Sequence, residues 1–237
     1  MTVVFGLWIA MMILVPILSL RGAEHRARAI SLGVFVQATT VAVLLIYSIP
    51  IPVIAIVMIP LLGWAAEYFG SRTGMLFGSY HYTDRLKPQI GHVPIVVPLA
   101  WLMMIPPSWA VAGALVGTDN RLLYAVVGAL AFTAWDFYLD PQMVSWGYWR
   151  WRHRGIYFGI PVRNFIGWFV SALLISFFLA PLQELPWQLA GVYVLTWLFQ
   201  LGGQLLFWKL PGPAIGGFLT MAPFAVPMLF RLGEKGF

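Results

Sequence analysis

The chain is a succession of apolar runs, each long enough to cross a bilayer, and that leaves it few ways to fold. A hydrocarbon core about 30 Å thick takes roughly 20 helical residues to span. Runs of that order fall at 2–20, 30–48, 51–69, 94–117, 121–139, 164–182, 187–208 and 212–230. Inside lipid every backbone N–H and C=O needs a partner in the protein, and a helix supplies them all from its own segment. The sequence therefore predicts an all-α fold, a polytopic transmembrane helix bundle of seven to eight spans, in one integral membrane domain over residues 1–237. The tight joints "SIPIP", "LQELP" and "LPGP" are rich in proline, which lacks an N–H and constrains the residue before it. The last run carries its own Gly and Pro and is the candidate for a re-entrant segment. The first run has no charged stretch before it and no small-residue cleavage site, and reads as a retained helix. No internal repeat is evident, which argues against an inverted-repeat transporter.

Composition narrows the chemistry. At 61% hydrophobic, with 12 Trp and 17 Phe, the chain has more apolar surface than a soluble core of 237 residues could hide. It has no Cys, so disulfides, thiolate metal sites and Cys nucleophiles are out. His25, His81, His92 and His153 are scattered, without the HxxxH or HxxH pairs of di-iron histidine boxes or a zinc site. No metal and no cofactor are expected. A net charge of +6 in a soluble protein would suggest nucleic acid. Here the basic residues sit between apolar spans, so the expected partner is the anionic surface of the lipid bilayer, not nucleic acid.

Those charges also orient the chain. With eight spans, one side carries eleven basic residues: Arg21, Arg26, Arg28, Arg72, Arg85, Lys87, Arg150, Arg152, Arg154, Arg163 and Lys209. The other side carries three: Arg121, Arg231 and Lys235. The positive-inside rule puts the first side in the cytoplasm and both termini outside it. Segments 70–93 and 140–163, the two long stretches between spans, then share the cytoplasmic face.

The residues that can do chemistry gather at that face. Asp136 and Asp140, in "DFYLD", are one helical turn apart on one face, and Pro141 after them predicts the end of the helix. Two acids at a helix C-terminus repel each other and the macrodipole, a locally unfavourable placement that points to a use. The alternative is simple pairing with Arg150, Arg152 or Arg154. Glu67, in "GWAAEYFGSRTG", is an intramembrane carboxylate and a candidate by that fact; its alternative is an ion pair with Arg72. Asn164 opens the sixth run, where an ordinary N-cap is expected. The loop "FGSYHYTDRLKP" adds Tyr80, His81 and Tyr82, with an interfacial aromatic belt as the competing explanation for the tyrosines and a hydrogen-bonded loop residue for His81. Trp64 and Trp135 flank the carboxylates. The tryptophans of "WGYWRWRHRG" read as membrane anchors.

Two segments, "EYFGSRTGMLFGSYHYTDRLKPQIGHVPIVVPLAW" and "AWDFYLDPQMVSWGYWRWRHRGIYFGIPVRNFIGW", together about a third of the chain, resemble the carotenoid-biosynthesis membrane proteins. That family includes the carotenoid 1,2-hydratases of the γ-carotene and bisanhydrobacterioruberin type. The resemblance implies a long-chain carotenoid or other isoprenoid substrate in a prokaryotic cell membrane. It also implies a hydro-lyase reaction, in which water adds to the terminal double bond of an acyclic (ψ) carotenoid end to give a tertiary alcohol.

The residues can be set against that chemistry. Protonating an alkene needs a carboxylic acid that keeps its proton near neutral pH, and burial beside a second carboxyl favours this. Asp136, Asp140 and Glu67 are the candidate catalytic acids and bases. Trp64, Tyr80, His81, Tyr82, Trp135 and Asn164 are the candidate substrate-binding residues, the aromatic faces among them able to stabilise a cation by about 0.5–2 kcal/mol each. Three other readings stay open. DxxxD also fits a Mg²⁺-dependent membrane prenyltransferase, although no second acidic motif faces it. A terpene or carotenoid cyclase would capture the same cation with a second double bond. A non-catalytic carotenoid-binding or transport protein needs none of this chemistry.

Overall fold

The computed structural model describes residues 2–234. Eight α-helices follow one another there: α1 Thr2–Ser19, α2 Ala23–Ile46, α3 Pro52–Thr73, α4 Val96–Val116, α5 Arg121–Ser145, α6 Val162–Leu179, α7 Trp187–Gly202 and α8 Pro211–Glu234. Helix α7 runs on through a π-helical turn, Gly203–Phe207. Seven of these, from α2 to α8, are long and apolar enough to cross a membrane, and α1 is a shorter apolar helix. The chain is an integral membrane helix bundle. Helix α8 is continuous despite Pro223 and Pro227 inside it, so it is one unbroken helix long and apolar enough to cross.

Helix α4 forms the centre. In its most apolar window 67% of residues are buried, against 28% for α3, and it packs on α2, α3, α5 and α7. Trp101, Met104 and Trp109 on α4 are fully enclosed. The outer helices divide by face. On α6, Ile166, Val170, Leu174 and Phe178 recur every fourth residue and are exposed, while Asn164, Gly167, Trp168, Ser171 and Ile175 are buried. That is one helical stripe offered to lipid and another to the bundle.

Lipid tails are as apolar as the helices, so small residues and interhelical hydrogen bonds hold such a bundle together. Trp109 Nε1 donates to Ser176 Oγ at 2.8 Å, tying α4 to α6, and the Tyr193 hydroxyl donates to the Ala131 carbonyl at 2.9 Å, tying α7 to α5. At Gly167 the chain segment after α3 comes so close that an added Cβ would lie 2.3 Å from the Leu76 carbonyl oxygen. Only glycine fits at that crossing.

One expectation needs correction. Pro141 does not end α5, which continues to Ser145. Proline removes the hydrogen bond that its N–H would have given to the Phe137 carbonyl four residues back. The Tyr157 hydroxyl replaces it, donating to that carbonyl at 3.0 Å. Asp136 and Asp140 therefore stand inside a helix, not at its end. The long connections between these helices are partly extended. Strand β1, Tyr80–Tyr82, lies between α3 and α4, and β4, Trp149–Trp151, between α5 and α6. They pair antiparallel, with Tyr80 opposite Trp151, His81 opposite Arg150 and Tyr82 opposite Trp149. Between them in sequence, β2 (Gln89–Ile90) and β3 (Val93–Pro94) form a small hairpin.

Candidate active site

The β1–β4 ribbon brings the two acidic centres of the sequence onto one cavity, because side chains alternate along a strand. Tyr80 and Tyr82 turn inward from β1 while His81 between them is exposed. Trp149 and Trp151 turn inward from β4 while Arg150 is exposed. Across the ribbon, Tyr80 stacks on Trp151 with ring centroids 5.6 Å apart, and Tyr82 meets Trp149 edge-on at 5.6 Å.

The first centre is Glu67, buried at 3% exposure on α3. Its Oε2 accepts hydrogen bonds from the Tyr80 hydroxyl and, at 2.7 Å, from the Tyr82 hydroxyl. Its Oε1 accepts from Trp101 Nε1 at 3.3 Å. Burial, and after it the charge of Glu67, pushes both tyrosine hydroxyls well above the ordinary phenol range, so they remain donors. Arg72 does not pair with Glu67; its guanidinium lies over the Tyr68 ring, 4.5 Å from the centroid.

The second centre is the aspartate pair on α5, with Asp136 fully enclosed and Asp140 at 2% exposure. Asn164 does not cap α6, whose N-cap is Pro161. Its amide nitrogen instead donates to both aspartates, to Asp136 Oδ2 at 2.7 Å and to Asp140 Oδ2. Trp149 Nε1 donates to Asp140 Oδ1 at 3.0 Å, and Asp136 Oδ1 has no hydrogen-bond partner. Among the described residues the one ion pair is Glu24–Arg28, so neither centre is neutralised by a cation. Nor do three His, Asp or Glu side chains gather there as a metal-ligand set would.

Both centres face a cavity of about 1030 Å³, mouth included. Glu67, Asp140, Tyr80, Tyr82, Asn164 and Trp135 all line it. Asp136 lies behind Asp140 and is reached through Asn164. Two expected substrate-binding residues are elsewhere. His81 points outward, and Trp64 stacks on Tyr68 at 5.1 Å and donates to the Ile90 carbonyl at 3.1 Å, bracing the β2–β3 hairpin. The sequence reading also missed part of the lining. Trp149 and Trp151, read as anchors, are walls of the cavity, joined by Trp168, Met103 and three glutamines, Gln37, Gln142 and Gln200. The alternation Tyr-His-Tyr against Trp-Arg-Trp was the available signal for the ribbon.

The arrangement suits a long apolar molecule with a reactive end. Hydrocarbon and aromatic walls lead to carboxyl groups held by Asn, Tyr and Trp donors. No curated protein and no solved structure matches the chain. The family model of the carotenoid biosynthesis proteins matches residues 27–224, which hold every residue of both centres, and the chain belongs to that family.

Proposed function

We propose that the protein is a hydratase of acyclic carotenoid ends, adding water across a terminal, dimethyl-substituted double bond. The observation that carries this reading is the meeting of two cation-free carboxyl centres, Asp136–Asp140 and Glu67, at one cavity with aromatic walls. Asp140, which faces the cavity, gives its proton to the less substituted alkene carbon. The mechanism requires that a proton stay with the aspartate pair, and like-charge repulsion across one helical turn acts in that direction. Protonation leaves a tertiary cation, stabilised by the ring faces of Trp135, Trp149 and Trp168 at about 0.5–2 kcal/mol each. Water adds to the cation and Glu67 takes the released proton as general base. Proton return from Glu67 to Asp140 through cavity water restores the enzyme, so the net change is one water added.

Cyclisation shares the first step and differs in what captures the cation. The amide groups of Gln37, Gln142 and Gln200 in the cavity favour water over a second double bond as the captor. The DxxxD prenyltransferase reading is less well supported, since no second acidic motif faces Asp136 and Asp140, and among the described residues no three His, Asp or Glu side chains gather as a metal-ligand set. Expression in a lycopene-producing host, with pigments analysed by mass spectrometry, tests the proposal. A pigment heavier by one water is expected. A same-mass isomer would mean a cyclase, and unchanged pigment would contradict an enzyme acting on this end group.

A further inference from the structure

Three arginines from three segments meet at one turn outside the cavity. Trp146 caps the C-terminus of α5, and Gly147, at φ +68°, turns the chain toward Tyr148 and strand β4. Arg85, from the segment after β1, donates to the Trp146 carbonyl at 2.6 Å. Arg26, in the first turn of α2, lies with its guanidinium over the Trp146 ring, 4.9 Å from the centroid. Arg150, on β4, reaches back over the same turn. A Cβ added at Gly147 would stand 3.2 Å from Arg85 Nη1 and 3.3 Å from Arg150 Nη2. Two guanidinium nitrogens, one from each side of the ribbon, thus lie within 3.3 Å of a single point. Tyr148 feels the third: burial pushes its hydroxyl above the ordinary phenol range, and the charges of Arg26 and Arg85 draw it back down.

No carboxylate answers these charges, since among the described residues the one ion pair is Glu24–Arg28. Arg85 and Arg150 are exposed, so the N–H groups that they do not spend on the protein are open to a ligand. An oxyanion with several oxygens can take N–H donors from two guanidinium forks at once, and phosphate is the common one. The depth of the site points to its source. Arg26 stands at the start of a helix long and apolar enough to cross a membrane, and Trp146 directly follows the end of another. The cluster therefore lies at the level of the lipid headgroups. Trp208 meets Trp146 edge-on at 5.3 Å, and tryptophan is enriched at that level.

We propose that Arg85 and Arg150 clamp the phosphate of one anionic phospholipid, with Arg26 adding its charge from α2. The attraction of a basic face to an anionic bilayer is spread over many lipids. This site instead holds one headgroup at one point. It is independent of the reaction proposed above. Arg85 follows β1 and Arg150 lies on β4, so the bound phosphate ties together the two sides of the ribbon, next to the existing bond from Thr83 Oγ1 to the Gly147 carbonyl at 2.8 Å. The inner face of that ribbon carries Tyr80, Tyr82 and Trp149, so the lipid braces the cavity wall from outside.

The test compares lipids and arginines. Purified protein in a neutral detergent is titrated with phosphatidylglycerol or phosphatidylcholine, with binding read by native mass spectrometry and by the thermal midpoint. Wild type should retain one phosphatidylglycerol and gain a higher midpoint. Phosphatidylcholine has the same phosphate but carries its own cation, which the arginines repel, so it should bind at least tenfold more weakly. Arg150→Gln, a change at an exposed side chain, should weaken phosphatidylglycerol tenfold or more. Arg85→Gln should do the same, although Arg85 also holds the Trp146 carbonyl, so Arg150 is the cleaner variant. Arg154→Gln removes an equal charge from an exposed position outside the cluster and should leave the affinity unchanged. Equal weakening by Arg154→Gln and Arg150→Gln would reduce the effect to general surface charge and overturn the site. Equal affinity for the two lipids would overturn it as well. Inorganic pyrophosphate that displaces the lipid and raises the midpoint as far would overturn the lipid as the occupant.

Discussion

At the scale of single residues the proposed mechanism gives Asp140 and Glu67 different work, and their neighbours explain why. Asp140 faces the cavity with a second carboxyl behind it, whereas Glu67 collects three donors and is built to accept. We predict that Asp140→Asn lowers turnover by about 10²- to 10⁴-fold, the usual loss for one general acid or base. Asp136→Asn and Glu67→Gln should fall in the same range. Each change keeps shape and removes a titratable proton, so wild-type rates in all three, at normal membrane levels, would refute the acid–base assignment. His81→Ala should leave turnover at the wild-type level, because that side chain is exposed on the outer face of the ribbon. A strong loss there would bring His81 back into the mechanism. The carboxylates were legible in the sequence because acids are rare in an apolar chain. Their donors were not, because Trp101, Trp149 and Asn164 belong to residue types with ordinary roles in membrane helices and only contact reveals the bond.

At the scale of elements, the eight helices were legible because length and hydropathy are local properties. Their ends were less so. Pro141 is a stop signal by local rules, and the Tyr157 hydroxyl sixteen residues on overrides it by partnering the stranded Phe137 carbonyl. Tyr157→Phe should therefore cost about 1–3 kcal/mol, the penalty for a buried acceptor left unmet, read as a lower thermal midpoint in detergent. An unchanged midpoint would show that the proline-containing helix needs no such support. The ribbon was missed for a related reason: each strand has three residues, and its partner lies some seventy residues away. Its position depends on the crossing at Gly167. Gly167→Ala must push the Leu76 backbone aside, so it should reduce both folded yield and turnover, and normal values of both would mean the segment has room to give.

For the whole molecule, the cavity draws its lining from elements far apart in the chain, from Met11 on α1 to Trp208. Helices α1 and α2 close one side, and α7 with Trp208, just after the π-helical turn, closes another, around acids supplied by α3 and α5. The basic residues gather on the side where β1 and β4 pair, and from that asymmetry we predict that the ribbon faces the cytoplasm. The chain has no cysteine, so single cysteines at Ser79 and Ser145 report cleanly. They should resist an impermeant thiol reagent in intact cells and react after lysis; labelling in intact cells would invert the topology. The central claim is that a carboxylic acid protonates the alkene and water captures the cation. Its most direct test is the wild-type product made from lycopene in D₂O and, separately, in H₂¹⁸O. The account predicts one carbon-bound deuterium beside the new carbinol carbon and ¹⁸O in the hydroxyl, whereas product oxygen drawn from O₂, or an alcohol without that deuterium, would contradict it.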